Sequence, residues 1–445
     1  MRHTTLRQLA AHNWSTFRRQ PLTEISGSLG DLGTFLPIVI ALTEGQQISL
    51  TTTLIFTGLY NILTGAFFGI PLPVQPMKAI AAVAILKSLT AGQTAAAGIF
   101  VSSCILAFSV TGLLSWFTRV IPIPVVKGIQ VGAGLSLIIA AGTKALSSLS
   151  WTAPSWADNN LWMILAFLAL FATNLRPRTP YALILFVIGI VFAIIRLTRD
   201  SHRHLPGFQL WQPYTQVPSG EEWKTGIFDA GIGQLPLTTL NSIIAVTHLA
   251  ADLIPEIQTP SVTSIGISVA TMNLFGCWFG AMPVCHGSGG LAAQYRFGAR
   301  SGASIIFLGL LKLILGILFG ESLASLLNKF PLALLSVMII AAGLELASVG
   351  ESLNTPRARD LTKEGDNPSG RVHITDEERK KRWTIMLVTA GLLVGFKNDA
   401  VGFLGGMFCH WSYQVPRYVT VLRSKSNSSR TESTDSEEQE ALLPQ

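Results

Sequence analysis

Charge is in short supply in this sequence. Asp, Glu, Lys and Arg make up 13% of its 445 residues, against about a quarter in ordinary soluble domains. That deficit argues against a solvated globular chain. Cysteine is scarcer still. Cys104, Cys277, Cys285 and Cys409 lie inside or beside apolar segments without metal-ligand spacing, so neither a disulfide framework nor a metal site is expected, and no cofactor. Nothing matches GxxxxGK[ST], which removes the phosphate loop of an ATP-driven pump. A cleavable leader is not expected either: residues 1–21 are basic and polar, with Arg2, Arg7, Arg18 and Arg19 and no apolar core.

What fills the chain is apolar sequence, 49% hydrophobic with a mean hydropathy of +0.46. Stretches such as 161-LWMILAFLALFA-172, 181-YALILFVIGIVFAII-195 and 303-ASIIFLGLLKLILGILF-319 approach or fit the roughly 17–25 residues of a membrane-crossing helix. The fold class they imply is an all-α polytopic membrane protein of about fourteen segments, several of them short. The expected organisation is a segment 1–24, a first unit 25–197, a linker loop 198–227, a second unit 228–415 and a disordered tail 416–445. The second unit contains a polar loop at 351–382. His202 and His204 in the linker read as ordinary surface.

The placement of the few charges sets an orientation. With a cytosolic N-terminus, the loops on that side hold Arg119, Lys127, Arg176, Arg178, Arg296, Arg300, Arg379, Arg382, Arg417, Arg423 and Lys425. The opposite loops offer little beyond Lys87, Lys144, Lys329 and Lys397. The positive-inside rule then puts both termini in the cytosol, where the sequons at Asn13 and Asn427 would stay unglycosylated.

An internal repeat organises the rest. Residues 65-GAFFGIPLPVQPMKAIAA-82 lie over 276-GCWFGAMPVCHGSGGLAA-293 with one single-residue gap, and 30-GDL-32 echoes 233-GQL-235. Seven segments per unit is an odd number, so the second unit must be inverted. Inverted repeats with Gly/Pro-broken segments in matching places point to a carrier whose site lies at mid-membrane. A half-helix is expected to start at about Pro76, with 71–75 extended, and its counterpart near Ser288 as N-cap. Irregular backbone at membrane depth survives where it lines a cavity. Two helix N-termini facing one cavity make an anion site.

Several residues are candidates for lining that site. Lys78 falls in the first turn of the half-helix; an ammonium there costs roughly 2.5–3.5 kcal/mol on insertion scales and asks for an anionic partner. Asp31 is one such partner when the site is empty. Gln75 has an amide to offer an oxyanion or local backbone. Asp31 and Thr34 lie in the Gly-broken 27-GSLGDLGTFLPIVIAL-42, with Gln234 in the matching place; lining the site, bonding the half-helix ends and taking a coupling proton are all open to them. His286, before Gly287, Ser288, Gly289 and Gly290, reads as a cavity donor or a pH-sensitive group. A remote alternative is an intramembrane serine hydrolase built on Ser288, which needs a histidine base; His286, His248 and His410 are the histidines in reach.

Three stretches, 30-GDLGTFLPI-38, 73-PVQPMKAIAAVAI-85 and 283-PVCHGSGGLAAQYRFGARSG-302, resemble the eukaryotic molybdate transporter family, a branch of the sulfate permease superfamily. The resemblance spans roughly residues 20–415. It implies a seven-plus-seven inverted repeat with core and gate domains, two half-helices at the substrate site, and high-affinity molybdate uptake into the cytosol assisted by protons. A sulfate or other oxyanion carrier of the same fold is the alternative, since the two dianions share charge and shape. Expected partners are molybdate, the lipid bilayer and protons, with homodimer formation open. The tail motif 438-EQEALL-443 matches an acidic dileucine signal, through which Glu438, Leu442 and Leu443 would engage a sorting adaptor and route the chain to a vacuole or endosome, with the plasma membrane as the open alternative.

Overall fold

A computed structural model describes residues 5–173, 179–199, 205–355 and 374–414. Arg176, Arg178, His202, His204, the sequon at Asn427 and the Glu438, Leu442 and Leu443 motif lie outside the described residues. What is described is mostly helical, the arrangement that lets an apolar chain satisfy its backbone internally.

The first half opens with α1 (Leu6–Arg19), set by a Thr5/Gln8 capping box. Next, α2 (Pro21–Ser28) and α3 (Leu32–Glu44) make one span, interrupted at 29–31. Helix α4 (Leu50–Phe68) ends at Gly69, whose φ of 68° only glycine adopts cheaply. The chain then runs extended into β1 (Val74–Pro76) and re-enters helix as α5 (Lys78–Lys87). Helices α6 (Ala91–Val110), α7 (Leu113–Val120), α8 (Ile123–Ser148), α9 (Asn160–Ala172) and α10 (Tyr181–Thr198) complete this half.

The second half repeats the order. Helices α11 (Gly220–Thr225), α12 (Ile232–Leu237) and α13 (Val246–Leu253) are joined into one rod by π-helical stretches Gly226–Gly231 and Thr238–Ala245. Helix α14 (Val262–Gly276) runs through a 3-10 turn to Gly280, at φ 74°, and then to β2 (Val284–His286) and α15 (Ser288–Arg296). After them come α16 (Ala303–Leu318), α17 (Ala324–Leu327), α18 (Leu332–Ser348), α19 (Asp376–Phe396) and α20 (399–414). Among the described residues, seven helices are long and apolar enough to cross a bilayer, or eight counting the pair bent by 109° at Phe319. The other expected segments are short, broken or charged at one end.

Two boundaries differ from expectation. The second half begins at Gly220, inside the expected linker, because Ser219 and Glu222 form a capping box there. The 377-EERKKR-382 run belongs to α19 and not to the polar loop, since Thr375 caps that helix and Asp376, Glu377 and Glu378 suit its positive end.

The two strands fix the symmetry. They pair antiparallel, with Val74 opposite His286, Gln75 opposite Cys285 and Pro76 opposite Val284. The repeat matches Val74 with Val284, so the pairing is its own image about Gln75 and Cys285. Inverted halves meeting on a two-fold axis produce this register. Asn61 of α4 accepts the Val74 amide at 2.9 Å, and Asn273 of α14 accepts the Val284 amide at 2.6 Å.

Around the strands, each half covers the other: α4 packs on α16 and α6 on α14. Asn13 pins the first pair, donating to Gly65 O and accepting from Gly302 N, both at 2.9 Å. This is the core. A second layer, the gate, packs α8 between α18 and α19, and α9 against α18. Backbones touch where Gly134 meets Gly343: a Cβ on either would sit 2.6–2.7 Å from the other's carbonyl oxygen. Outside, large apolar side chains such as Leu168, Phe171, Val187, Val191, Phe275 and Phe408 are 47–63% exposed, a surface suited to lipid.

Candidate substrate site

The half-helices form where the proline and glycine punctuation places them, the first shifted by two residues and the second only in its cap, by one. Pro76 ends β1, because Met77 N–H reaches across to Pro283 O at 2.9 Å and extends the pairing; the helix starts at Lys78. In the second half Gly287 is the N-cap, and Ser288 is the first helical residue.

The Ala79 and Ile80 amides at the start of α5 donate to Gln234 Oε1, at 2.8 and 3.3 Å, while Gln234 Nε2 donates to Thr238 at 2.9 Å. Of the roles open to Gln234, the structure places it as a cap supplied by the other half. At α15, the first amides, those of Ser288 and Gly289, have no intrahelical acceptor. Ser288 Oγ donates to Asn241 Oδ1 in the π-helical stretch.

Lys78 stands at the N-terminus of α5, the positive end of the helix dipole, where a cation is doubly unfavourable. Among the described residues it has no hydrogen-bond partner and no ion-pair partner within 4 Å. A Cβ built on Gly289 would lie 4.0 Å from Lys78 Nζ, so the two half-helix starts are adjacent. Both line a cavity of about 490 Å³ between core and gate. Its wall includes Asn241 of the π-helical stretch, Ser136 and Thr143 of α8, Leu346 of α18, and Lys397 and Asp399 at the α19–α20 junction.

Asp31, Thr34 and Gln75 form a linked triad behind this wall. Thr34 Oγ1 and Gln75 Nε2 both donate to Asp31 Oδ1. The expected Asp31–Lys78 ion pair is not made, since Thr34 and Gln75 take up the carboxylate. Gln75 Oε1 is buried without a partner among the described residues and lies against the glycine turn: Cβ atoms at Gly287 and Gly290 would fall 1.8 and 2.5 Å from its amide atoms. The glycines at 287 and 290 are therefore room for Gln75.

His286 faces the opposite way. Its Nδ1 lies 3.4 Å from Pro73 O and its Nε2 3.0 Å from Ser268 Oγ. A carbonyl only accepts, so Nδ1 carries the hydrogen and Nε2 accepts from Ser268. His286 is fully buried and does not line the cavity, in contrast to the cavity role expected of it. Nor does it bond Ser288. His248 and His410 line a separate hollow of about 620 Å³, so the dyad of a serine hydrolase is not formed.

Sequence reasoning passed over Lys312 and Asn241. Lys312 is buried on α16, its Nζ 3.7 Å from the centre of the Phe35 ring. A lone lysine inside 303-ASIIFLGLLKLILGILF-319 was the available signal. Asn241 had a similar one, a polar residue within an apolar run.

The fold is shared with known anion transporters. The structure is similar to that of murine Solute Carrier 26 family member A9, titled an anion transporter in the inward-facing state, with a TM-score of 0.56 at 14% identity over 89% of this chain and 68% of that one. It also resembles the transmembrane domain of a cyanobacterium bicarbonate transporter, with a TM-score of 0.51 at 15% identity over 88% of this chain and 98% of that one. Among curated sequences, Molybdate transporter 2 of Arabidopsis thaliana is 42% identical over 76% of this chain and 81% of its own length. Molybdate transporter 1 of Chlamydomonas reinhardtii is 32% identical over 88% and 91%. The family model described as "Molybdate transporter of MFS superfamily" matches residues 23–137 and 226–346. The superfamily in that description has halves related by an axis along the membrane normal; the antiparallel β1–β2 pairing relates these halves by inversion instead. On the family itself, sequence relatives and family model agree: the chain belongs to the molybdate transporter family.

Proposed function

We propose that this chain is a secondary carrier that moves molybdate into the cytosol, with protons as the coupling ion. One observation carries the reading: two half-helix N-termini and the unpaired Lys78 converge on the wall of one cavity. Free amides, two positive dipole ends and an ammonium are the complement of a tetrahedral dianion. Lys78 and the Ser288 and Gly289 amides bind the oxyanion directly. Asn241 and Ser136 supply further hydrogen bonds from the wall. Asp31, Thr34 and Gln75 hold the strand that aims α5, and Gln234 fixes its first turn.

The names of the relatives support molybdate as the substrate, and the charge bias supports both termini in the cytosol. Routing to a vacuolar or endosomal membrane rests on Glu438, Leu442 and Leu443, and a Leu442→Ala/Leu443→Ala chain that keeps its location would remove that signal. The test of function is tracer molybdate uptake into liposomes containing only this protein, with sulfate as competitor. Saturable uptake that resists excess sulfate is the expected result. Equal displacement by sulfate would make the chain a general oxyanion carrier, and no uptake above empty liposomes would overturn the proposal.

A further inference from the structure

The cavity that holds Lys78 also holds a carboxylate that anion binding alone does not call for. Asp399 opens α20, whose first turn is capped by Asn398 Oδ1 accepting from Ala400 and Val401 at 2.9 and 3.3 Å. Asp399 Oδ2 is buried and has no hydrogen-bond partner among the described residues, and the residue lines the same wall as Lys78.

The charged groups facing it are few. Lys78 comes from α5, and Lys397 from the left-handed C-cap of α19 (φ 51°). Helix α8 contributes Ser136 and Thr143, the π-helical stretch Asn241, α15 Gly289 and α18 Leu346, none of which is charged near neutral pH. The next acid, Asp31, lies behind the wall with Thr34 and Gln75 on its Oδ1. The wall thus carries two ammonium groups and one carboxylate. Its net charge is +1 with Asp399 ionised and +2 with Asp399 protonated, and only the second matches a dianion.

We propose that Asp399 is the coupling group through which a proton and the oxyanion bind together. This rests on the cavity being the oxyanion site. In the empty carrier, ionised Asp399 is the counter-charge to Lys78 across the cavity. An arriving dianion takes over Lys78 and repels the carboxylate, which then binds a proton from the outer water at Oδ2. The O–H bond formed is the only covalent change, and it is undone when both ligands leave on the other side. Asp31, already hydrogen-bonded, is left with a positioning role.

The test is equilibrium binding of radiolabelled molybdate to the purified full chain between about pH 5 and 8, for the native protein and for Asp399→Asn, Asp399→Glu and Lys78→Ala. Native affinity is expected to rise as pH falls, by roughly tenfold per unit where Asp399 titrates, as for one bound proton per dianion. Asp399→Asn mimics the protonated form. Its affinity is expected to be flat with pH and, at pH 8, at least tenfold above native. Asp399→Glu should keep the slope, which guards against a misfolded amide variant. A native-like slope in Asp399→Asn, or a flat native profile, would overturn the coupling role. Native-like binding by Lys78→Ala would instead overturn the site itself, so the two failures are distinguishable.

Discussion

Lys127 of α8 and Asp252 of α13 form an ion pair that ties gate to core, and they lie between two hollows. Lys127 is 3% exposed and Asp252 19%. One turn along α8, Gln130 Nε2 donates to Ala245 O at 2.9 Å. Beyond that point α8 lines the Lys78 cavity through Ala133, Ser136 and Thr143; before it, Ile123 and Pro124 line the hollow that holds His248 and His410. The pair therefore clasps α8 to α13 between the stretches of α8 that line the two hollows.

Removing one partner of this pair leaves the other charge poorly solvated, whereas removing both does not. Lys127→Met is expected to lower the unfolding midpoint in detergent more than Lys127→Met/Asp252→Leu does, a coupling that a double-mutant cycle reads directly. Equal midpoints for the two would mean that the pair contributes nothing to holding the layers together.

Gln234 makes a second bridge, capping α5 from the other half of the chain. Gln234→Ala is expected to cost about 1 kcal/mol, as for a lost helix cap, and to weaken molybdate binding by loosening the turn that carries Lys78. Gln234→Glu keeps the acceptor and should retain more of both. Thermal unfolding and tracer binding on the same preparations check this; a harmless alanine would make the cap incidental.

The meeting of Gly134 and Gly343 leaves no room for a side chain. Gly134→Val forces apart α8 and α18, whose backbones approach to within a Cβ of contact. Overpacking of this kind costs typically 1–3 kcal/mol, and a midpoint unchanged by the substitution would contradict the close approach.

Much of this fold was legible because proline and glycine act locally. Pro73, Pro76, Pro283 and Gly287 break their helices whatever surrounds them, so the repeat and both half-helices could be read from sequence. The left-handed turns at Gly69 and Gly280 fall in the same aligned columns. The start of α5 moved from Pro76 to Lys78 because the strand pairing, a tertiary contact, extends through Pro76. Side-chain partners were less legible for the same reason. Asn61 and Asn273 hold the strands, Gln234 caps a helix about 155 residues away, and His286 turns toward Ser268; each depends on which helices become neighbours. Lys312 and Asp399 were both passed over: Lys312 is a single charge within an apolar run, and Asp399 follows Lys397 and Asn398 in what reads as an ordinary loop.

The central claim is that Lys78 and the adjoining half-helix starts bind a doubly charged oxyanion. Equilibrium binding of tracer molybdate to folded, purified Lys78→Ala protein tests it most directly, with the native chain alongside. Saturable binding by the native protein and its loss by at least a hundredfold in Lys78→Ala, at an unchanged unfolding midpoint, is the outcome expected. Undiminished binding in that variant would contradict the account.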